Sequence, residues 1–190
     1  MKTVGVIGAG RADEELLQIA EEVGRLLAKE GVTVITGGLG GVMEAVSRGA
    51  FLEGGITVGI LPTLKKEDAN PYVKIPIPTG IGEMRNALIV RASDVLIAIG
   101  GEYGTLSEIA LALKTGKNVI GIKTWDIRGV IEAKSAEEAV KKSPKYKIKI
   151  VRFLIKHLSF AFTEKTNLLS RRIFITCRSI YPPKFKKNFE

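Results

Sequence analysis

The sequence predicts an α/β fold with a doubly wound, mainly parallel sheet and helices on both faces. Three observations carry this. Short β-branched runs are apolar almost without interruption, as in strands covered on both sides. Amphipathic stretches of helical period lie between these runs. Glycine clusters stand where strands pass into helices, the position in which such sheets bind ligands.

In chain order, "TVGVIG" (3–8) reads as the first strand. "DEELLQIAEEVGRLLAKEG" follows, with Leu16, Leu17, Ala20, Val23 and Leu27 on one helical stripe and Gly31 as its stop. "VTVIT" (32–36) is a second strand and "GVMEAVSRGAFLEGG" a second helix. "ITVGILP" (56–62) is a third strand. "YVKIPIP" (72–78) alternates but carries two prolines, so it predicts a short edge strand or an extended loop. The helix "IGEMRNALIVRAS", the strand "DVLIAIG" (94–100), the helix "TLSEIALALKTGK" and the strand "NVIGIKT" (118–124) complete the alternation. "SAEEAVKKSP" reads as a last helix ending near Pro144. This order is Rossmann-like.

Composition divides the chain. Residues 145–190 hold 12 of the 29 Lys and Arg residues and 2 of the 20 Asp and Glu residues. All 21 glycines lie at or before Gly129, while six of the seven phenylalanines lie at or after Phe153. The net charge of +9 therefore belongs to the end of the chain, and the first 144 residues are close to neutral. The expected organisation is a Rossmann-like nucleotide- or phosphate-binding domain over 1–144 and a basic, Phe-rich extension over 145–190. Within the extension, "VRFLIKHLSFAF" puts Val151, Leu154, Ile155, Leu158 and Phe162 on one helical face. That face suits a membrane surface or nucleic acid, or a plain covering helix, or the segment is a non-native end.

Other classes are excluded by residue counts. One cysteine, Cys177, makes no disulfide framework, and one histidine, His157, makes no multi-His metal cluster. No apolar run is long enough to span a bilayer, and "MKTVGVIGAG" reads as a strand rather than a signal peptide, so a cytoplasmic protein is expected.

Four segments carry candidate chemistry. Gly8-x-Gly10 begins like a dinucleotide fingerprint, but Asp13 stands where a small residue is needed, and no acidic residue follows the second strand. "TGGLGGVMEA" places Gly37, Gly38, Gly40 and Gly41 between a strand and a helix, which lets backbone N–H groups approach a phosphate. It lacks the Lys-Ser/Thr of a nucleoside triphosphatase loop. Arg85, about one turn into its helix, leans back toward the crevice, or makes a plain salt bridge. Thr105-x-x-Glu108 has capping-box spacing, which Ser135-x-x-Glu138 repeats without a glycine loop. Glu108 is thus either a helix cap or a reacting group, and the helix dipole favours its ionised form, a poor general acid.

"GGLGGVMEAVSRGA", "GILP" and "TGIGEMRNALIVRASDVLIAIGGEYGTLSEIALALKTGKNVIGI", in this order, resemble the Rossmann-type family once labelled lysine decarboxylase-like. It includes the Lonely Guy phosphoribohydrolases, which release the base from cytokinin nucleoside 5′-monophosphates, and the molybdenum-cofactor carrier proteins. The likeness runs from residue 1 to about 143 and is closer to the carriers, through "GVMEA", "MRN" and "GTLSEIA". The resemblance places the family's catalytic glutamate on Glu108, its arginine on Arg85, and phosphate contacts on Gly101, Gly104 and Thr105. Asn86 stands where the hydrolases have lysine, Gly100 where they have proline, and Glu102 where they have a second glycine. It implies catalysis by Arg85 and Glu108 without metal or redox cofactor, a nucleoside monophosphate or molybdopterin as ligand, and a homodimer. A non-catalytic molybdopterin carrier is the alternative, and nucleic-acid binding through the basic tail a third.

Overall fold

The structure, a computed structural model, describes residues 2–143; the basic segment 145–190 and the amphipathic run within it lie outside the described residues. The described residues form seven strands and five α-helices. They are β1 (Thr3–Gly8), α1 (Glu14–Lys29), β2 (Thr33–Thr36), α2 (Val42–Leu52), β3 (Thr57–Leu61) and β4 (Ile75–Pro78). After a 3-10 turn at Gly82–Arg85 come α3 (Asn86–Ala92), β5 (Val95–Ile99), α4 (Tyr103–Lys114), β6 (Val119–Ile122), β7 (Val130–Glu132) and α5 (Ala136–Lys142). The sheet is parallel throughout, in the order β4-β3-β2-β1-β5-β6-β7. The Rossmann-like doubly wound fold is therefore present, with no antiparallel strand among the described residues.

The apolar strands separate two cores. Val4, Val6, Val95, Ile97 and Ile99 point to the face covered by α1, α2 and α5. Ile7, Leu96 and Ala98 point to the other, with Ile89 and Val90 of α3 and Ile109 and Ala112 of α4. Alternate residues of one strand serve opposite cores, so no position on β5 is left for a polar side chain. Each fully buried Ile or Leu in these layers contributes roughly 1.5–3 kcal/mol.

Two glycines set the distance between α1 and α2. A Cβ on Gly24 would lie 2.0 Å from the Val46 carbonyl oxygen, and one on Gly49 would lie 1.9 Å from that of Glu21. The helix backbones touch there, and α2 is thereby held close over β1.

One expectation holds, one strand is added and one position changes. β4 is an edge strand as its prolines suggest, pairing in parallel with β3. β7, only three residues long, has no alternating pattern to announce it. Arg85 does not sit a turn into an α-helix. It ends the 3-10 turn and serves as the N-cap residue of α3, with a backbone φ of -61°.

Candidate functional site

Strand order reverses between β1 and β5, so the segments leaving their carboxyl ends part to opposite faces. The opening between them is a cleft of about 360 Å³. Gly8 and Gly10 line it from the β1 side, Gly37 from the β2 side, and Glu102, Gly104, Thr105 and Glu108 from the start of α4. Arg85 and Asn86 enter from the junction before α3.

Arg85 and Glu108 are both buried, at 6% and 5% exposure, although each is ionisable. Arg85 Nη1 donates to Asn86 Oδ1 at 2.6 Å, and lies 3.9 Å from Glu108 Oε1, too far for a hydrogen bond. Among the described residues, Arg85 Nε and Glu108 Oε1 have no hydrogen-bond partner. Burial pushes the Glu108 carboxyl from its ordinary 4.5 up to about 8. Arg85 pulls the other way, and the Glu83 carboxylate on the cleft wall raises it further. The long approach to Arg85 does not repay the loss of water, so the carboxyl carries its proton at neutral pH. The expectation of an ionised Glu108, drawn from the helix dipole, is reversed by desolvation.

Nor is Glu108 a helix cap. The helix starts two residues before Thr105, at Tyr103, and its N-cap Glu102 makes no side-chain cap hydrogen bond. Thr105 is the third helical residue and is buried. At α5 the same spacing does cap: Ser135 Oγ accepts from Glu138 N at 3.2 Å, and Glu138 Oε2 accepts from Lys134 N at 2.8 Å. The difference is register, because Ser135 precedes its helix whereas Thr105 lies inside one.

The glycine loop is more structural than four glycines in five positions suggest. Gly38 and Gly41 have φ of 74° and 65°, which a residue with a Cβ adopts only under strain. Gly41 also abuts the Gly10 carbonyl oxygen, 2.4 Å from where a Cβ would be. Gly101 makes room for Thr105 in the same way. Gly38, Gly40, Gly41 and Gly101 do not line the cleft, whereas Gly8, Gly10, Gly37 and Gly104 do. Gly37 has a separate purpose. A Cβ there would lie 2.7 Å from Nη1 and Nη2 of Arg85, so its absence seats the guanidinium.

Two contributors escape sequence reasoning. Asn70, buried, donates from Nδ2 to the carbonyl oxygens of Gly38 (3.1 Å) and Leu39 (2.9 Å), and from its backbone N to Gly38 O (2.9 Å). It clamps the loop from 31 and 32 residues away, and only the Asn-Pro dipeptide hints at its turn. Ser107 Oγ donates to Gly104 O (2.6 Å) and accepts from Asn86 Nδ2 (3.4 Å), tying Asn86 to α4.

Fold and cleft together define a Rossmann-like protein with a buried arginine and carboxylic acid between helix N-termini at the reversal of strand order. Within that class, the chain belongs to the SLOG cluster4 family, which matches residues 1–151. It is 51% identical over 138 residues to an uncharacterized protein of Archaeoglobus fulgidus, covering 72% of this chain and 91% of that one. The molybdenum cofactor binding protein of Rippkaea orientalis superposes with a TM-score of 0.70 at 38% identity, covering 81% of this chain and 97% of that chain. The cytokinin riboside 5′-monophosphate phosphoribohydrolase of Mycobacterium tuberculosis is 34% identical over 121 residues, 58% of this chain and 64% of the enzyme. Both branches named by the sequence resemblance are thus relatives. Among the described residues no helix is long and apolar enough to cross a membrane, and no group of His, Cys, Asp and Glu could hold a metal ion.

Proposed function

We propose that the cleft binds a phosphorylated heterocyclic ligand and that the chain hydrolyses the N-glycosidic bond of nucleoside 5′-monophosphates, giving base and ribose 5-phosphate. The buried, protonated Glu108 beside Arg85 carries this reading. The phosphate sits against the Arg85 guanidinium and the free N–H groups at Gly37 and Gly104–Thr105, the last two on the first turn of α4. Glu108, as a neutral acid, gives its proton to the departing base as the bond from C1′ to nitrogen breaks and its electron pair leaves with the base. The carboxylate so formed faces the developing ribose cation. It then takes a proton from the water that attacks C1′, which restores the acid. One water is consumed, and no redox or metal step is needed.

The sequence reading cast Glu108 as a standing anion. Its elevated pKa gives it both roles in turn, in the manner of glycosidase carboxyls tuned upward by burial.

A panel of nucleoside 5′-monophosphates with free base measured tests the reading. Wild type releases base, Arg85→Ala and Glu108→Gln do not, and kcat/KM falls as pH rises through about 8. Base release from wild type no faster than from the variants removes the enzyme reading.

A second reading, a non-catalytic carrier of molybdopterin, is favoured by Asn86. It fills the hydrolases' lysine position and spends its side chain on Arg85 and Ser107. The likeness to the Rippkaea orientalis protein over nearly its whole length supports the same view. Retention of molybdenum cofactor without base release would select it. In either case the ligand is small and phosphorylated. The homodimer, the cytoplasmic location and any contact of the basic extension with nucleic acid or membrane are parts of the proposal that solution measurements must test.

A further inference from the structure

One large aromatic side chain on the rim, just outside the residues that line the cleft, is left in solvent with no core to serve. Tyr103 opens α4 and is 80% exposed, between Glu102 and Gly104, both of which line the cleft. Its ring centroid lies 6.0 Å from that of Trp125, with 35° between the planes. Trp125 is itself fixed to the same rim, because its Nε1 donates to the Glu102 carbonyl oxygen at 3.3 Å. Trp125 belongs to the segment after β6, another carboxyl end of the sheet. That segment begins with Lys123, the one non-glycine residue at positive φ (47°) among the described residues, with its ammonium paired to Glu15. Residues in this sparsely populated conformation cluster at functional sites.

A tyrosine held by a tryptophan is a rigid, flat, amphipathic surface, and it stands next to the helix N-terminus that faces the cleft. The tilt and 6.0 Å spacing leave no slot for a third ring between the two. The open face of Tyr103 is what remains.

We propose that Tyr103, backed by Trp125, is the stacking platform for the flat heterocycle of the ligand, and so determines specificity for a ring over a bare sugar phosphate. The inference rests on the phosphate reading of the cleft and deepens it by dividing the ligand. Arg85 and the helix N-termini take the phosphate, and the aromatic pair takes the ring. The division holds for a purine nucleotide and for a pterin alike, because both offer a π-face.

The test compares two probes that share the phosphate. AMP and ribose 5-phosphate are titrated by calorimetry into the full chain carrying Glu108→Gln, the reference protein because it leaves AMP intact, and into the same protein with Tyr103→Ala, Tyr103→Phe or Arg85→Ala added. Trp125, the one tryptophan in the sequence, supplies a parallel fluorescence signal. Tyr103→Ala should weaken AMP on the order of tenfold and leave ribose 5-phosphate unchanged. Tyr103→Phe should keep the reference affinity for both, and AMP alone should perturb Trp125 emission saturably. Arg85→Ala should lose both probes. Unchanged AMP affinity in Tyr103→Ala, or an equal loss for both probes, overturns the platform while leaving the phosphate site standing. A reference protein that binds neither probe overturns the phosphate reading, and the platform with it.

Discussion

Replacing Glu108 by glutamine should make the protein more stable, by an amount that grows with pH. The side chains are nearly isosteric, so below the ordinary carboxyl value of 4.5 both proteins bury a neutral group and should differ by less than about 1 kcal/mol. Above it, the unfolded wild type loses the Glu108 proton while the folded one keeps it up to about 8. The folded state then binds more protons than the unfolded one, so wild-type stability falls across this window, whereas glutamine does not titrate. At about 1.4 kcal/mol per unit, the gap should reach roughly 3 kcal/mol at neutral pH and level off near 5 above the folded value. Urea unfolding of both proteins at about pH 5, 7 and 8.5 measures it, and shifts common to the two cancel. A difference that stays flat would mean that Glu108 is ionised in the folded protein and held by Arg85. The proton-donor role would then fall, even if base release were observed.

Three further substitutions probe the supports of the site. Gly37→Ala places a methyl 2.7 Å from the Arg85 nitrogens, so ribose 5-phosphate affinity measured by calorimetry should drop about tenfold or more as the guanidinium is displaced. Asn86→Ala leaves buried Arg85 Nη1 without its 2.6 Å acceptor and should cost about 2 kcal/mol in urea unfolding, as for other hydrogen bonds to charged groups. Gly49→Ala puts a Cβ 1.9 Å from the Glu21 carbonyl oxygen, where only backbone can give way. A loss of about 3 kcal/mol is expected by the same measurement, with α1 and α2 forced apart.

The sheet was legible because burial on both faces leaves a strong mark: "DVLIAI" can hardly be anything but a covered strand. β7 was not, since three residues at a sheet edge carry no periodicity. Arg85, Glu108, Gly104 and Thr105 could be brought to one crevice from the rule that ligands bind beyond strand ends. The state of Glu108 could not be read. Its protonation depends on a 3.9 Å gap and on lost solvent, neither of which has a sequence signature, while the dipole argument points the other way. The glycine loop misled in a different manner. Sequence shows that glycine is needed, but not whether a phosphate, a helix backbone or a neighbouring guanidinium needs it. Asn70 was invisible for a related reason, because its partners are carbonyl oxygens some 30 residues upstream.

The pairing of β1 with β5 bears on how the protein is made. Gly5 faces Leu96 and Gly8 faces Ile99, so the central seam joins segments about 90 residues apart. A ribosome delivers β1, β2 and β3 well before β5. During that interval one side of β1 is an open edge flanked by Val4, Val6 and Ile7. The long loop makes closure of this seam slow compared with local helix formation. The glycine loop is complete by then, yet Glu108 is not synthesised until after β5. A chain that stops before α4 therefore holds Gly37 and Arg85 but neither Gly104–Thr105 nor Glu108. Closure of the seam by β5 and arrival of Glu108 on the helix that follows it are successive steps of one stretch of chain.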